Sequence, residues 1–307
     1  MSSSPSPCSN DLHCKAVELG FSKVGVTKAT EVPQAIFDEY ELWIKNNFHG
    51  EMAYMERYGD IRRNPRLLLD DARSIIVVVA NYNYPAQNAL KTPQFASYSL
   101  GDDYHEVMRD KLSQLATFIQ EKWGGVTRVC VDTAPIFERY WAQQAGVGFL
   151  GRNKMLIVPQ IGSYVFIGII LSSIEFQSDE PCTLNCMGCN ACIRLCPGKA
   201  ISLSGMIDAR KCHSYLTIEY RGDLPDGLDL GNRVYGCDVC QSVCPHNLNA
   251  PTTNIAEFLP RKEILNLTHD DIGTMTQEEF SRIFSHSAIK RTKLAGLQRN
   301  NRHCSKK

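Results

Sequence analysis

The stretch Cys186-Met-Gly-Cys189-Asn-Ala-Cys192-Ile-Arg-Leu-Cys196-Pro197 sets four thiols at intervals of two, two and three residues, with proline directly after the last. This is the spacing with which bacterial ferredoxins hold cubane iron–sulfur clusters, three thiolates taking one cluster and the fourth reaching a second. A second run, Cys237-x2-Cys240-x3-Cys244-Pro245, is one ligand short, and Cys212 between the runs supplies it. The crossed logic of two-cluster ferredoxins puts Cys186, Cys189, Cys192 and Cys244 on one [4Fe–4S] cluster and Cys196, Cys212, Cys237 and Cys240 on the other. Zinc also accepts four thiolates, but zinc motifs rarely repeat this spacing with proline twice in one chain. Cys182 lies close enough to the run to be an alternative ligand; Cys8, Cys14, Cys130 and Cys304 read as inert.

Outward from this run, the chain has 307 residues, 43% of them hydrophobic and 21% charged, with 33 Lys+Arg against 33 Asp+Glu. Disorder and an overall charge suited to coating nucleic acid are both excluded. A chain of this size buries a sizeable core in about two domains, so its 13 cysteines are not needed for stability and read as ligands or redox groups. Residues 1–10 are Ser/Pro-rich without the apolar segment of a signal peptide, and no uninterrupted apolar run approaches membrane-spanning length. The expectation is a cytoplasmic protein in a reducing compartment with no membrane partner. From His286 to the last residue the chain carries Lys290, Arg291, Lys293, Arg299, Arg302, Lys306 and Lys307 and no acid. This segment reads either as a polyanion contact or as a solvated helix face.

Before the cysteines the pattern alternates between helical and strand-like segments. Helices are expected over residues 11–20, 33–46, 102–123 and 135–145, and strands over 22–27, 74–80 and 126–131. Ser74-Ile-Ile-Val-Val-Val-Ala80 has the length and β-branching of a buried strand. Residues 154–158 and 163–171 look like a hairpin around Gly162. Thr276 and Glu279 have the spacing of a capping box. The predicted class is α+β: an N-terminal α/β domain (1–175) with a mixed sheet flanked by helices, a ferredoxin-like two-cluster domain (176–250) and a helical, basic C-terminal segment (251–307). An electron carrier needs only the cluster domain, so the first domain should hold what the electrons are delivered to.

Gly146-x-Gly148-x-x-Gly151 spells a dinucleotide fingerprint, yet it follows a predicted helix where the fingerprint requires a strand. No P-loop motif occurs. Taken with Gly50-Glu-Met-Ala-Tyr-Met-Glu-Arg57, Gly101-Asp-Asp-Tyr-His105, Val131-Asp-Thr-Ala-Pro135, Gly146-Val-Gly-Phe-Leu-Gly-Arg-Asn153, Gly162-Ser163, Cys212-His-Ser-Tyr-Leu-Thr-Ile-Glu219 and Gly236-Cys-Asp-Val-Cys-Gln241, the chain resembles the tRNA epoxyqueuosine reductases in order and spacing. The resemblance runs through Arg299. It implies an oxidoreductase of queuosine biosynthesis that passes electrons from two [4Fe–4S] clusters to cobalamin and then to the epoxide of epoxyqueuosine at the tRNA wobble position. By position it implies Asp132 as proton donor, with Tyr104 and His105 as nearby catalytic residues; an acid in that role needs a raised pKa, which burial beneath a corrin would give. It also implies that Arg57, Asp132, Ser214, Asp238 and Val239 contact cobalamin, and that Lys290, Arg291 and Lys293 contact tRNA.

The bland alternatives are a helix cap for Asp132 and a packing histidine for His105. Met108 stands where a D-x-H-x-x-G cobalt-ligand motif needs glycine, so His105 is not read as a cobalt ligand. The chain departs from the family in two ways: the helical-repeat domain of longer members has no counterpart, which implies a short form, and Pro245-His246-Asn247 replaces Pro-Trp-Asn. Partners implied are the modified tRNA and an unidentified low-potential electron donor. Two rival readings are a reductive dehalogenase-like cobalamin enzyme and a non-catalytic iron–sulfur electron-transfer module.

Overall fold

The computed structural model describes residues 9–84 and 93–304, so Cys8, Lys306 and Lys307 lie outside the described residues. Strands β1 (Lys23–Lys28), β2 (Ser74–Asn81), β3 (Thr127–Cys130) and β4 (Val165–Ser172) form one sheet in the order β1-β2-β4-β3. The α+β class is as expected, but every neighbouring pair is antiparallel, where a mixed sheet is predicted. Alternation of strand and helix suggests parallel crossovers; here the helical connections return the chain in the opposite sense, which periodicity does not encode.

All eight residues of β2 are buried. Helices α1 (Ser9–Glu18), α2 (Gln34–Lys45), α3 (Tyr104–Trp123) and α4 (Glu138–Gln144) accompany the sheet. On one face Ile76, Val78 and Ala80 meet Leu12 of α1 and Met108, Leu112 and Leu115 of α3. On the other, Ile75, Val77 and Val79 meet Trp141 and Ala142 of α4. Covering both faces explains why β2 reads as an unbroken apolar run despite its antiparallel neighbours.

The predicted hairpin over residues 154–171 is not formed as such. A single bridge, Val158 to Gly162, closes its turn. Leu156–Ile157 pairs instead with Phe149–Leu150, while β4 takes the central place between β2 and β3. Nearly every residue of β4 is buried, so two long partners bury it better than a two-residue strand could. The glycine triplet serves this packing: Gly146 ends α4 with φ +68°, and a Cβ on Gly148 would lie 2.4 Å from the Ile157 carbonyl oxygen.

The cysteine-bearing domain docks on the sheet domain at Gly162 and Ser163. Asn247 accepts the Ser163 N–H (2.7 Å) and donates to Ser163 Oγ (2.9 Å) and the Gln241 carbonyl (2.8 Å). Gln241 in turn donates to the Ser163 carbonyl at 2.9 Å. Gly162 has φ +91°, and a Cβ there would sit 2.3 Å from Asn247 Oδ1, so glycine is required twice over. Asn153 adds a bond from its side-chain amide to the Cys240 carbonyl at 3.1 Å.

The C-terminal segment shares a core with the cysteine domain: Leu216 and Tyr235 pack in one cluster with Phe284, Ile289 and Leu297. The Thr276 and Glu279 capping box forms as its spacing predicts. In helix Lys293–Arg302, Asn300 donates to the carbonyls of Thr217 and Val234, both at 2.8 Å. Arg299 donates to those of Leu216, Tyr220 and Gly222. Among the described residues, no helix is long and apolar enough to cross a membrane.

Asn300 is fully buried, so Asn300→Ala strands two buried carbonyls and should cost about 2 to 3 kcal/mol. Lys293→Ala, on the exposed side of the same helix, should stay within about 0.5 kcal/mol of wild type. Urea denaturation followed by circular dichroism checks both.

Candidate active site and cluster ligands

The site begins with α3. Asp103 caps this helix by accepting the His105 N–H (3.0 Å), and the same carboxylate oxygen holds His105 Nδ1 at 2.7 Å. Tyr104 is fixed between two rings, stacked on Phe166 of β4 at 4.4 Å and on His105 at 4.0 Å. With both its nitrogen and its ring face held, His105 presents Nε2 to Asp132 Oδ2 at 3.0 Å. The Tyr104 hydroxyl also lies near enough to the Asp132 carboxylate to favour its charged form.

Asp132 lies in the loop leaving β3, in the left-handed region at φ +47°. That conformation is uncommon for a residue with a side chain and marks a position held by its surroundings. Its N–H donates to Glu138 Oε1 at 2.8 Å. It does not cap the following helix, whose N-cap is Phe137 with no side-chain bond. The cap alternative is therefore not what the loop does. Glu138 is the residue that sequence reasoning missed: no motif marks it, and only its place at the start of α4 brings it beneath Asp132.

Electrostatics redistribute the protons expected here. Asp132 is about half exposed; the partial desolvation it feels favours the neutral form, but the hydrogen bond and charge of His105 outweigh it and hold the carboxyl below the ordinary aspartate value. In the chain by itself Asp132 is thus held low, and the expected rise belongs to burial beneath a corrin. His105 is opposed by burial too, yet the bonds to Asp103 and Asp132 lift it to about 9. Burial, reinforced by the Asp132 charge, pushes Glu138 up to about 8. At neutral pH the protons therefore sit on His105 and Glu138, and Asp132 is the anion between them.

Asp132, Tyr104 and Glu138 line a cavity of about 390 Å³ that is also lined by Cys196, Cys212, Cys237 and Cys240. Cys186, Cys189, Cys192 and Cys244 line a second cavity with Arg152 and His246. The eight thiols thus sort into the two crossed quartets that the spacing suggests. They surround volumes and do not converge on a point: among the described residues, no group of three His, Cys, Asp or Glu is placed to hold a single metal ion. Burial pushes Cys237 up to about 11 and raises Cys212 and Cys240 as well, so without a cationic partner these thiols stay protonated. Cys182 packs beside Cys186 and Cys244 but lines neither cavity.

Of the remaining predicted residues, Ser214 and Asp238 line the large cavity, whereas Arg57 and Val239 do not. Asp238 accepts the Ser97 N–H at 2.6 Å, and burial raises its pKa despite that bond. His213, in the same wall, has a buried Nδ1 without a protein partner. Lys290, Arg291 and Lys293 are exposed. Arg291 is engaged by both oxygens of Glu219 while its side chain stays about half exposed.

Residues 62–133 match the family model described as "Epoxyqueuosine reductase QueG, DUF1730", and residues 185–247 match that of a 4Fe-4S double cluster binding domain. The curated epoxyqueuosine reductase of Cellulophaga algicola is 39% identical over 94% of this chain and 95% of its own length. That of Escherichia coli is 37% identical over 90% of this chain and 74% of its own. A crystal structure of epoxyqueuosine reductase with an epoxyqueuosine-modified tRNA-Tyr stem loop is similar with a TM-score of 0.88 at 31% identity, over 95% of this chain and 79% of that one. The Bacillus subtilis enzyme, captured with its catalytic aspartate loop swung out of the active site, is similar with a TM-score of 0.85 at 29% identity.

Two measurements follow from this geometry. Because His105 has a folded-state pKa of about 9 against an ordinary value of 6.5, its ion pairs contribute stability fully below pH 6.5, and that contribution is lost as the pH rises through about 9. An NMR titration of the imidazole should show the high pKa, and Asp103→Asn should lower it. Cys212→Ala should cut iron from about eight to about four per chain, while Cys182→Ala keeps about eight. Iron and sulfide analysis of anaerobically purified protein decides this.

Proposed function

Because the chain belongs to the epoxyqueuosine reductase family, we propose that it reduces epoxyqueuosine to queuosine at the wobble position of tRNA. Two electrons and two protons are consumed per epoxide, and its oxygen leaves as water. The observation that carries this reading is that one cavity is lined both by a cysteine quartet and by Glu138 and Asp132, the first protonated at neutral pH and the second bonded to protonated His105. Electrons and protons can meet there.

The cavity wall suits the family's cobalamin. It is largely aromatic and aliphatic, with Tyr82, Tyr98, Phe166 and Ile207, and it carries a few polar groups free to meet a ligand, above all the unpartnered Nδ1 of His213. Ser214 and Asp238 would hold the corrinoid beside the quartet of Cys196, Cys212, Cys237 and Cys240. When bound, it supplies a cobalt centre that low-potential electrons make strongly nucleophilic. The chain's own residues supply position and protons. Tyr104, clamped between Phe166 and His105, anchors the imidazole. His105 carries a proton on Nε2 at 3.0 Å from the Asp132 Oδ2 carboxylate, so Asp132 takes that proton from His105 and relays it. Glu138 Oε1 accepts the Asp132 N–H, leaving its other oxygen to carry the second proton. A cytoplasmic location suits such a substrate, and Lys290 and Lys293 offer exposed positive charge to the tRNA backbone.

In a strain lacking this chain, nucleoside analysis of tRNA should show epoxyqueuosine accumulating, and the wild-type chain should restore queuosine. Asp132→Asn should keep iron and corrinoid content while turnover falls by about 10² to 10⁴. Full turnover by that variant would remove Asp132 from the proton path. Lys290→Glu with Lys293→Glu should weaken tRNA binding and reduce the slope of log affinity against log salt by about one per lost phosphate contact. A filter-binding series over salt concentration measures this.

A further inference from the structure

We infer that the face around Cys186, Cys189, Cys192 and Cys244 is the docking surface for a small acidic electron-carrier protein. The inference rests on the reading above that these thiols hold a cluster. The other quartet shares its cavity with Asp132, whereas this one does not, which makes it the entry point for electrons. The surface around it carries open aliphatic side chains. Met187, directly after Cys186, is 91% exposed, and Leu248, four residues past Cys244, is 78% exposed. Leu184 and Leu195 are also more than half exposed. Aliphatic side chains left this open around a redox centre mark a contact surface.

Charge selects the occupant. Residues 181–207 contain no Asp or Glu but carry Arg194 and Lys199, both exposed, and residues 239–256 contain no Asp, Glu, Lys or Arg, with His246 as the one ionisable nitrogen. Arg152, in the wall of the cluster cavity, donates to neutral Asn190 at 2.6 Å and leaves its charge unanswered by a carboxylate there. A positive, apolar rim around a cluster fits an acidic protein carrier. A nicotinamide has no comparable seat, since the one G-x-G-x-x-G stretch is consumed by packing against Ile157. Each encounter moves one electron: the reduced carrier is oxidised, the cluster goes from the 2+ to the 1+ state, and no bond or proton moves. Two encounters supply one turnover.

The test uses holoenzyme and a photoreduced plant-type [2Fe–2S] ferredoxin as probe, with cluster bleaching followed by stopped flow and binding of the oxidised probe by calorimetry. Met187→Glu with Leu248→Glu, and separately Arg194→Glu with Lys199→Glu, should each slow reduction by ferredoxin about tenfold or more and weaken its binding. Reduction by methyl viologen radical, which needs no docking face, should stay within about twofold. The wild-type rate with ferredoxin should fall as salt rises, and the Arg194/Lys199 variant should lose that dependence. Unchanged ferredoxin rates in both variants, or an equal loss with viologen, overturn the proposal. Viologen-driven epoxyqueuosine reduction reports separately on the assigned reaction: its absence in wild type sinks that reading, while its persistence beside unchanged ferredoxin rates sinks only the docking face.

Discussion

Everything functional in this chain depends on the reciprocal hydrogen bonds among Ser163, Gln241 and Asn247. They pin the turn before β4 to the helix and turn that carry Cys240 and Cys244. Buried amides that satisfy each other in this way cannot slide without leaving donors and acceptors unpaired, so the two domains meet in one register. The cavity between them inherits that rigidity. Gly162 is the steric half of the same constraint, because any side chain there would displace Asn247.

Within the cavity, the outcome is decided by competition between burial and pairing. Desolvation pushes both carboxyls toward the neutral form, more strongly at Glu138 than at half-exposed Asp132. His105 reverses this for Asp132, since it is itself held cationic by two carboxylates, and Glu138, without such a partner, keeps the effect of burial. The result is an alternation of charged and neutral acids along a short path. It places the proton one residue away from Asp132 and couples the two through a single hydrogen bond.

The cysteine ligands were the most legible part of the sequence, because cluster geometry dictates ligand spacing and spacing is a local property. The buried strand Ser74–Asn81 was legible for the same kind of reason: length and β-branching are local. Sheet order was not. Whether β4 pairs with the preceding strand or sits between β2 and β3 depends on which partners bury it best, and nothing within residues 154–171 states that. Glu138 was invisible because its importance comes from Asp132, six residues away around a left-handed turn. Arg291 and Arg299 show what a basic run leaves unstated. A run of basic residues looks like one surface, yet one of these is answered by Glu219 and the other is buried against backbone carbonyls.

The crossed sorting of thiols also bears on how the protein is made. As the chain leaves the ribosome, Cys186, Cys189 and Cys192 emerge early but share their cavity with Cys244, the last cysteine of the second run. The quartet that starts later is complete first, at Cys240, and the earlier one closes only four residues afterwards. Neither cluster can be inserted stepwise into a growing domain. Cofactor delivery is a late event in biogenesis, and the nascent cysteine segment must stay reduced and open to the assembly machinery until both runs have been translated.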